Sequence, residues 1–285
     1  MRLSRLYILG SASLAAVFIV LIFLVLIMSS LPAVFANGFG LFSHDWRPAA
    51  GEFGVMPMIY GSAAVTLIAL VLATPLGLLT AIFTSEILNP NFRAPVKSAL
   101  EILAGIPSII YGLIGVAFFS IWVGDWFDLQ SGRTILTAGF LRAIMILPTI
   151  ITLCDDALYN VPQKYREAAT GLGLYRFEVI RDVLLPIAKS DIIGAVLLAL
   201  GRALGETMAV MLVIGSIDRV PDPFFNVLEA GQTITSKLGR EVAESAFGSV
   251  HFSALIFMSL ILVAITVSLT SATQYYFRKE QRLVE

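Results

Sequence analysis

Residues 192–217 read IIGAVLLALGRALGETMAVMLVIGSI, an apolar run whose only ionisable side chains are Arg202 and Glu206. Such a run is long enough to cross the roughly 30 Å hydrocarbon core of a bilayer as a helix. Helical spacing predicts that Arg202 and Glu206, four residues apart, share one face. A charge at the centre of a span costs about 3 kcal/mol on insertion scales unless it meets a partner or water, so residues of this kind are usually used. Two readings stand at this point. Either the pair belongs to a pathway for a solute, or it is a static ion pair or carbonyl-bonded pair that fixes helix register.

The rest of the chain agrees with a membrane setting. Of its 285 residues, 58% are hydrophobic and only 14% charged, and the mean hydropathy is +0.87. A soluble domain of this length does not need that much apolar material for its core. Long runs almost free of charge recur at Leu6–Leu31, Met56–Ser85, Ile102–Val123, Ile135–Leu153, Ile192–Ile217 and Phe252–Phe277. None shows the alternation of barrel strands. The expected fold is therefore all-α, a polytopic membrane protein with six transmembrane helices. Its expected parts are a tail and first helix at 1–31, a core of five further helices at 56–277, and a tail at 278–285. The core would carry an inner loop at 154–190 and an outer loop at 218–250.

Arg2 and Arg5 precede an apolar stretch, and Val34-Phe35-Ala36 has the small-residue character of a cleavage site. The stretch is about twice the length of a signal-peptide core, which favours an uncleaved first helix. With the N-terminus inside, twelve Lys and Arg residues fall on inner segments, Arg2, Arg5, Arg278, Lys279 and Arg282 among them. The outer segments hold Arg47, Arg219, Lys237 and Arg240, with Arg133 at a boundary. That asymmetry predicts cytoplasmic N- and C-termini.

A net charge of −1 argues against a nucleic-acid partner. The single cysteine, Cys154, has no intrachain disulfide partner and no companions for a metal site. His44 and His251 lack ligand spacing to Asp, Glu or Cys, so no metal site is expected and structural or solvent-facing roles are.

The inner loop is patterned. Asn160-Val161-Pro162 signals a turn with proline placed to open a helix over Gln163–Thr170, and Gly171 and Gly173 stop it. A second helix is predicted from about Tyr175 to Leu185, with Phe177, Ile180, Val183 and Leu184 on one face, ended by Pro186. Physics alone allows an interfacial helix on the headgroups or a docking element for a cytoplasmic partner. The pattern Glu167-Ala168-Ala169, three residues, Gly173, nine residues, Val183, one residue, Leu185-Pro186 resembles the EAA loop of ATP-binding cassette (ABC) importer permeases, where Ile usually takes the place of Val183. The resemblance implies a type I ABC importer permease fold, with coupling helices that sit on a separate nucleotide-binding subunit. Small Ala168 and Ala169 suit close approach, and Gly173 suits a sharp turn.

No Gly-x-x-x-x-Gly-Lys-Ser/Thr occurs, so ATP hydrolysis is expected in another polypeptide and this chain is expected not to be an enzyme. Gly201-Arg202-Ala203-Leu204-Gly205-Glu206-Thr207-Met208-Ala209-Val210 resembles the signature helix of the PstC family of phosphate-importer permeases. Ile106-Pro107-Ser108-Ile109-Ile110-Tyr111-Gly112 is similar to that family's proline motif, and Thr235–Ala246 to its outer segment. The resemblance spans nearly the whole chain. It implies a bacterial inner-membrane location and four kinds of partner: a second, PstA-like permease, a PstB-like ATPase dimer, an extracytoplasmic PstS-like phosphate-binding protein, and the lipid bilayer. No cofactor is expected in this chain, with ATP and magnesium held by the ATPase. The short outer link Gly124–Arg133 departs from the pattern, and Arg142, inside the fourth run, has no role assigned by it.

Oxyanion chemistry fits the fifth run. A guanidinium fork holds two oxygens of a phosphate at once, so Arg202 is the expected ligand and Glu206 its counter-charge when the path is empty. Thr207 adds a hydroxyl donor. Gly201 and Gly205 form a small-x-x-x-small face for a neighbouring helix. Pro107 and Pro75 are candidate kinks, and Trp46, Trp122 and Trp126 candidate interface anchors. The competing functions are a permease for another oxyanion such as sulphate or molybdate, and, from a different class, an ion-driven carrier or membrane enzyme. The last needs catalytic clusters or broken-helix repeats and has no use for a docking loop.

Overall fold

A computed structural model describes the backbone of residues 2–284 and the side chains of residues 9–89 and 91–271. Arg2, Arg5, Arg278, Lys279 and Arg282, which entered the orientation argument, lie outside the described side chains, as does the 278–285 tail.

Twelve helices are assigned in the described chain: α1 (Arg2–Asn37), α2 (Met56–Ile82), α3 (Pro90–Gly105), α4 (Ser108–Ile114), α5 (Ser120–Trp126), α6 (Ile135–Tyr159), α7 (Gln163–Gly171), α8 (Arg176–Glu178), α9 (Leu185–Gly205), α10 (Met208–Val213), α11 (Ile234–Glu241) and α12 (Val250–Val284). The sole sheet among the described residues is a hairpin of β1 (Trp46–Arg47) and β2 (Glu52–Phe53), with Trp46 opposite Phe53. Among the described residues, six helical stretches are long and apolar enough to cross a membrane: Leu9–Phe42, Met56–Ile87, Ser108–Trp126, Ile135–Tyr159, Arg176–Gly205 and Val250–Ser271.

The centre is α2 packed on α6. Small residues permit the close approach: Ala69, Ala73 and Ala81 of α2 meet Ala143, Ile146, Ile150 and Cys154 of α6, and Ala195, Ala199 and Ala203 of α9 complete the cluster. The α9 residues recur every four positions, one stripe of a helix. Thr134 caps α6, its Oγ1 accepting from the Thr137 amide at 3.1 Å, which satisfies one of the orphan donors of the first turn. In the first turns of α2, Gly61 lies against the backbone of Gln232, where an added Cβ falls 2.0 Å from the carbonyl oxygen. α1 packs chiefly on α12 and presents exposed Leu, Val, Ile and Phe side chains along most of its length, as a lipid-facing helix does.

Three boundaries differ from the sequence-based expectation. The third span begins at Ser108 rather than Ile102, because Ile106 and Pro107 are both extended (ψ 130° and 134°). Pro107 therefore caps a new helix instead of kinking a continuous one, as its missing N–H and the constraint on the residue before it favour. Pro75, by contrast, lies inside an unbroken α2. The fifth span runs over Arg176–Gly205, displaced toward the inner loop from Ile192–Ile217. Pro186 does not end the second loop helix. It lies in the first turn of α9, directly after a π-turn over Val179–Leu184, a position where a missing N–H is tolerated. The second loop helix and the fifth span are consequently one continuous rod.

Candidate functional site

The run quoted at the outset is broken where its charges sit. α9 stops at Gly205, Glu206 is extended (ψ 124°), and α10 starts at Met208. Arg202 and Glu206 consequently do not share a helical face, and the expected ion pair between them is absent among the described residues. Arg202 donates from Nη1 to Thr149 Oγ1 at 2.7 Å and from Nη2 to the Ala104 carbonyl at 3.2 Å. One Glu206 carboxylate oxygen accepts from the Ala209 amide at 3.3 Å, an anion at the start of α10. Thr207 turns its hydroxyl to the Gly205 carbonyl at 3.3 Å.

The second break lies beside the first. Ala104, whose carbonyl Arg202 holds, is in the last turn of α3, two residues before the extended Ile106-Pro107. α4 and α10, the helices that resume after each break, touch closely: a Cβ on Gly112 would lie 2.9 Å from the Ala209 Cα. Non-helical backbone at membrane depth persists only where protein buries it or a polar cavity is lined by it. Arg202 is exposed on this chain while Glu206 is half-buried. Gly105, Gly201 and Gly205 all face open space, with nothing within 4 Å of an added Cβ. The packing expected at Gly201 and Gly205 is thus not made by any helix among the described residues.

Arg142 is the residue that sequence reasoning left without a place. It is 1% exposed, donating from Nη1 to Thr66 Oγ1 of α2 at 2.9 Å and from Nη2 to the Glu206 carbonyl at 3.2 Å. Thr235 of α11 donates to the same carbonyl at 2.7 Å. The Glu206 carbonyl belongs to no helical ladder, and these two donors give it the partners that a buried backbone acceptor requires.

At the inner end, α7 is followed by Gly173 at φ +85°, the left-handed conformation that glycine adopts without a Cβ penalty. Ala169 is buried against Leu158, Val161, Val179, Ile180 and Leu184. Glu167, Ala168 and Pro186 are exposed and Leu185 half-buried. Leu172, Tyr175 and Phe177 are 82%, 79% and 70% exposed, an apolar group unusual for solvent. Arg166 Nη1 pairs with Glu86 Oε2 at 2.5 Å, its Nη2 donates to the Leu158 carbonyl at 2.8 Å, and Arg176 donates to the Glu86 carbonyl.

Residues 73–282 match the family of binding-protein-dependent transport system inner membrane components. The chain belongs to this family of importer permeases. The phosphate transport system permease protein PstC of Mesorhizobium japonicum is 36% identical over 254 residues, covering 82% of this chain and 76% of that protein. That of Pasteurella multocida is 36% identical over 253 residues, covering 82% and 78%. A probable ABC transporter permease of Bacillus subtilis is 36% identical over 229 residues, 79% and 73%. Among solved structures, an inward-facing MetNI methionine ABC transporter has a TM-score of 0.57 at 17% identity, covering 79% of this chain and 94% of the other. A bacterial transporter for alginate has a TM-score of 0.56 at 19% identity, covering 95% and 96%. These two establish the fold, and the family match with six apolar helices among the described residues makes the chain a multi-pass membrane component of a binding-protein-dependent transport system.

Between the 218–250 segment and the β1–β2 hairpin the permease carries an ionic knot. Lys237 is 2% exposed and pairs with Asp218 at 2.5 Å and with Glu241. Glu241 also accepts from Trp46 Nε1 at 3.2 Å and contacts His251 Nε2 at 2.9 Å, and His251 stacks on Phe53. Trp46 is thus buried in the knot rather than anchored at an interface, whereas Trp122 and Trp126 are exposed at the end of the third span. Burial raises the Asp218 carboxyl above its usual value despite Lys237. Burial acts in the same direction on Glu241, but Lys237 and His251 together outweigh it and leave that carboxyl lowered. Glu241 has three partners, Lys237, Trp46 and His251, and Asp218 shares the first of them.

Thr66 and Thr149 carry no signal in the sequence because a threonine in an apolar run reads as packing, and Thr235, in the polar 218–250 segment, has nothing local that marks its partner. Arg142 did carry a signal, a second charge inside a span, but not an address.

Proposed function

We propose that this permease forms half of the path of an ATP-driven importer of inorganic phosphate, with Arg202 as the anion ligand. The observation that carries the reading is the double break: a guanidinium whose Nη1 and Nη2 each spend one N–H on Thr149 and the Ala104 carbonyl and keep a second, exposed next to two interrupted helices. A planar fork suits a tetrahedral oxyanion, and interrupted helices supply backbone groups at membrane depth. The PstC relatives support phosphate as the anion. Glu206 lies across the break rather than on Arg202, so its carboxylate does not compete for the second N–H of each Nη. Thr207 acts as a secondary hydroxyl donor.

The open face of Gly105, Gly201 and Gly205 suits a second, PstA-like permease that would complete the path. Glu167, Ala168, Ala169, Gly173, Leu185 and Pro186, with exposed Leu172, Tyr175 and Phe177, suit docking of a PstB-like ATPase dimer, which would hold ATP and magnesium. A PstS-like phosphate-binding protein would deliver the anion from outside, with both termini cytoplasmic in a bacterial inner membrane.

The test is uptake of labelled phosphate by cells carrying Arg202→Gln, with membrane abundance measured. Uptake lost at normal abundance is expected, and normal uptake at normal abundance sinks the ligand role. ATPase assays on the copurified complex with loaded binding protein separate the anions: stimulation by phosphate supports the reading, and stimulation by sulphate alone replaces it.

A further inference from the structure

Both helices of the inner loop end on one residue of the second span. Glu86 lies in the π-turn Phe83–Ile87 that closes α2 on the inner side. Its carboxylate takes Arg166 from α7, and its backbone carbonyl takes Arg176 from α8. The Arg166–Glu86 pair is largely removed from solvent, the side chains being 18% and 12% exposed, so it escapes most of the screening that makes surface pairs weak. The other arm of Arg166 holds the Leu158 carbonyl, one of the orphan acceptors at the C-terminal, negative end of α6. One guanidinium therefore ties α7 to the inner ends of both central helices.

Further along, ten residues inside its start, α2 meets the residues that hold the broken fifth span. Thr66, about 30 Å along the same helix from Glu86 at a rise of roughly 1.5 Å per residue, holds Arg142, which holds the Glu206 carbonyl. A continuous helix with one specific polar contact just past its last turn and another in its interior is a physical connection between the loop and the break.

We propose that Arg166 and Glu86 are positioning residues that transmit displacement of the inner loop to α2, and through Thr66 and Arg142 to the discontinuity at Glu206. The proposal rests on the reading of this loop as the ATPase docking surface. Its content is that the loop drives the second span directly, and not only the fifth span with which α8 is continuous. Loss of the pair leaves the loop able to dock and its partner able to hydrolyse ATP, while less of each stroke reaches the path.

The experiment uses the intact complex with its phosphate-binding protein in proteoliposomes, and reads phosphate moved per ATP hydrolysed in Arg166→Glu, Glu86→Arg and the double exchange. In each single variant the ATPase copurifies and the ratio falls roughly tenfold, the size of an ordinary coupling between two sites. The double exchange recovers most of it, as a direct pair requires. An unchanged ratio in the single variants overturns the proposal, and so does a double exchange no better than its parents. Should the reversed charges not accumulate, near-isosteric Glu86→Gln is read in the same way. Glu167→Lys, on the exposed side of α7, tests the docking reading separately through copurification. If it leaves copurification and transport unchanged, the docking reading fails, whatever the Arg166 ratio.

Discussion

Arg142 donates a hydrogen bond to the backbone carbonyl of Glu206 across 3.2 Å, from the fourth span to the gap in the fifth. The carbonyl is free because the helix stops one residue earlier, and the arginine is tolerated at 1% exposure because that carbonyl and Thr66 receive it. Each half of the contact explains the other.

The first prediction concerns this contact. Thr235→Val removes one of the two donors to the Glu206 carbonyl and should cost about 1 kcal/mol, while Arg142→Met should cost on the order of 2–3 kcal/mol because charged donors count for more. The two together should exceed the sum, since the carbonyl is then buried without a partner. Thermal unfolding of the four proteins in detergent checks this, and strict additivity would remove the shared-carbonyl account.

Gly61 and Gly201 should behave oppositely. Gly61→Ala places a Cβ 2.0 Å from the Gln232 carbonyl oxygen, a backbone clash that no rotamer relieves, so the protein should unfold at lower temperature or fail to accumulate. Gly201→Ala meets nothing within 4 Å among the described residues and replaces a helix-interior glycine, which should stabilise the isolated subunit by roughly 0.5–1 kcal/mol. Copurification of a second permease should nevertheless fall if that face is its seat, a combination that distinguishes packing between subunits from packing within one.

Gly173→Val isolates backbone strain, since open space surrounds the position and only φ +85° opposes a side chain. The cost is about 1–2 kcal/mol for a non-glycine residue in the left-handed region, too little to unfold a membrane protein held by its spans. The expected outcome is normal abundance with impaired ATPase copurification, read on an affinity column. Normal copurification would show that the turn is dispensable.

The outer knot sets a pH dependence. The Glu241 carboxyl is lowered in the folded protein, so the stabilisation it contributes is present above the unfolded value of 4.5 and is lost as pH falls through the lower folded value. Asp218 is raised and acts oppositely, its ionisation opposing the fold as pH rises above 3.8. Glu241→Gln should therefore lower the melting temperature at neutral pH, with the gap to the native protein narrowing below about pH 4.5. Asp218→Asn should have a smaller effect at neutral pH. Equal losses in both variants would contradict the different partnering of the two carboxylates.

What the sequence determined by itself is what depends on local chemistry. Six apolar runs dictate six membrane helices, because a helix of that length is the main way to satisfy a backbone in lipid. The sharp turn at Gly173 and the lack of a phosphate-cradling loop are equally local. What only the tertiary structure decided is where charge and backbone meet. Spacing put Arg202 and Glu206 on one helical face, and that holds only while the helix continues. It stops at Gly205 because Arg142 and Thr235, distant in sequence, supply the hydrogen bonds that the Glu206 carbonyl gives up. Pro107 and Pro186 make the same point in opposite senses. One proline opens a break and the other sits in a continuous rod, and the difference lies in the turn before each and the neighbours that receive the freed groups.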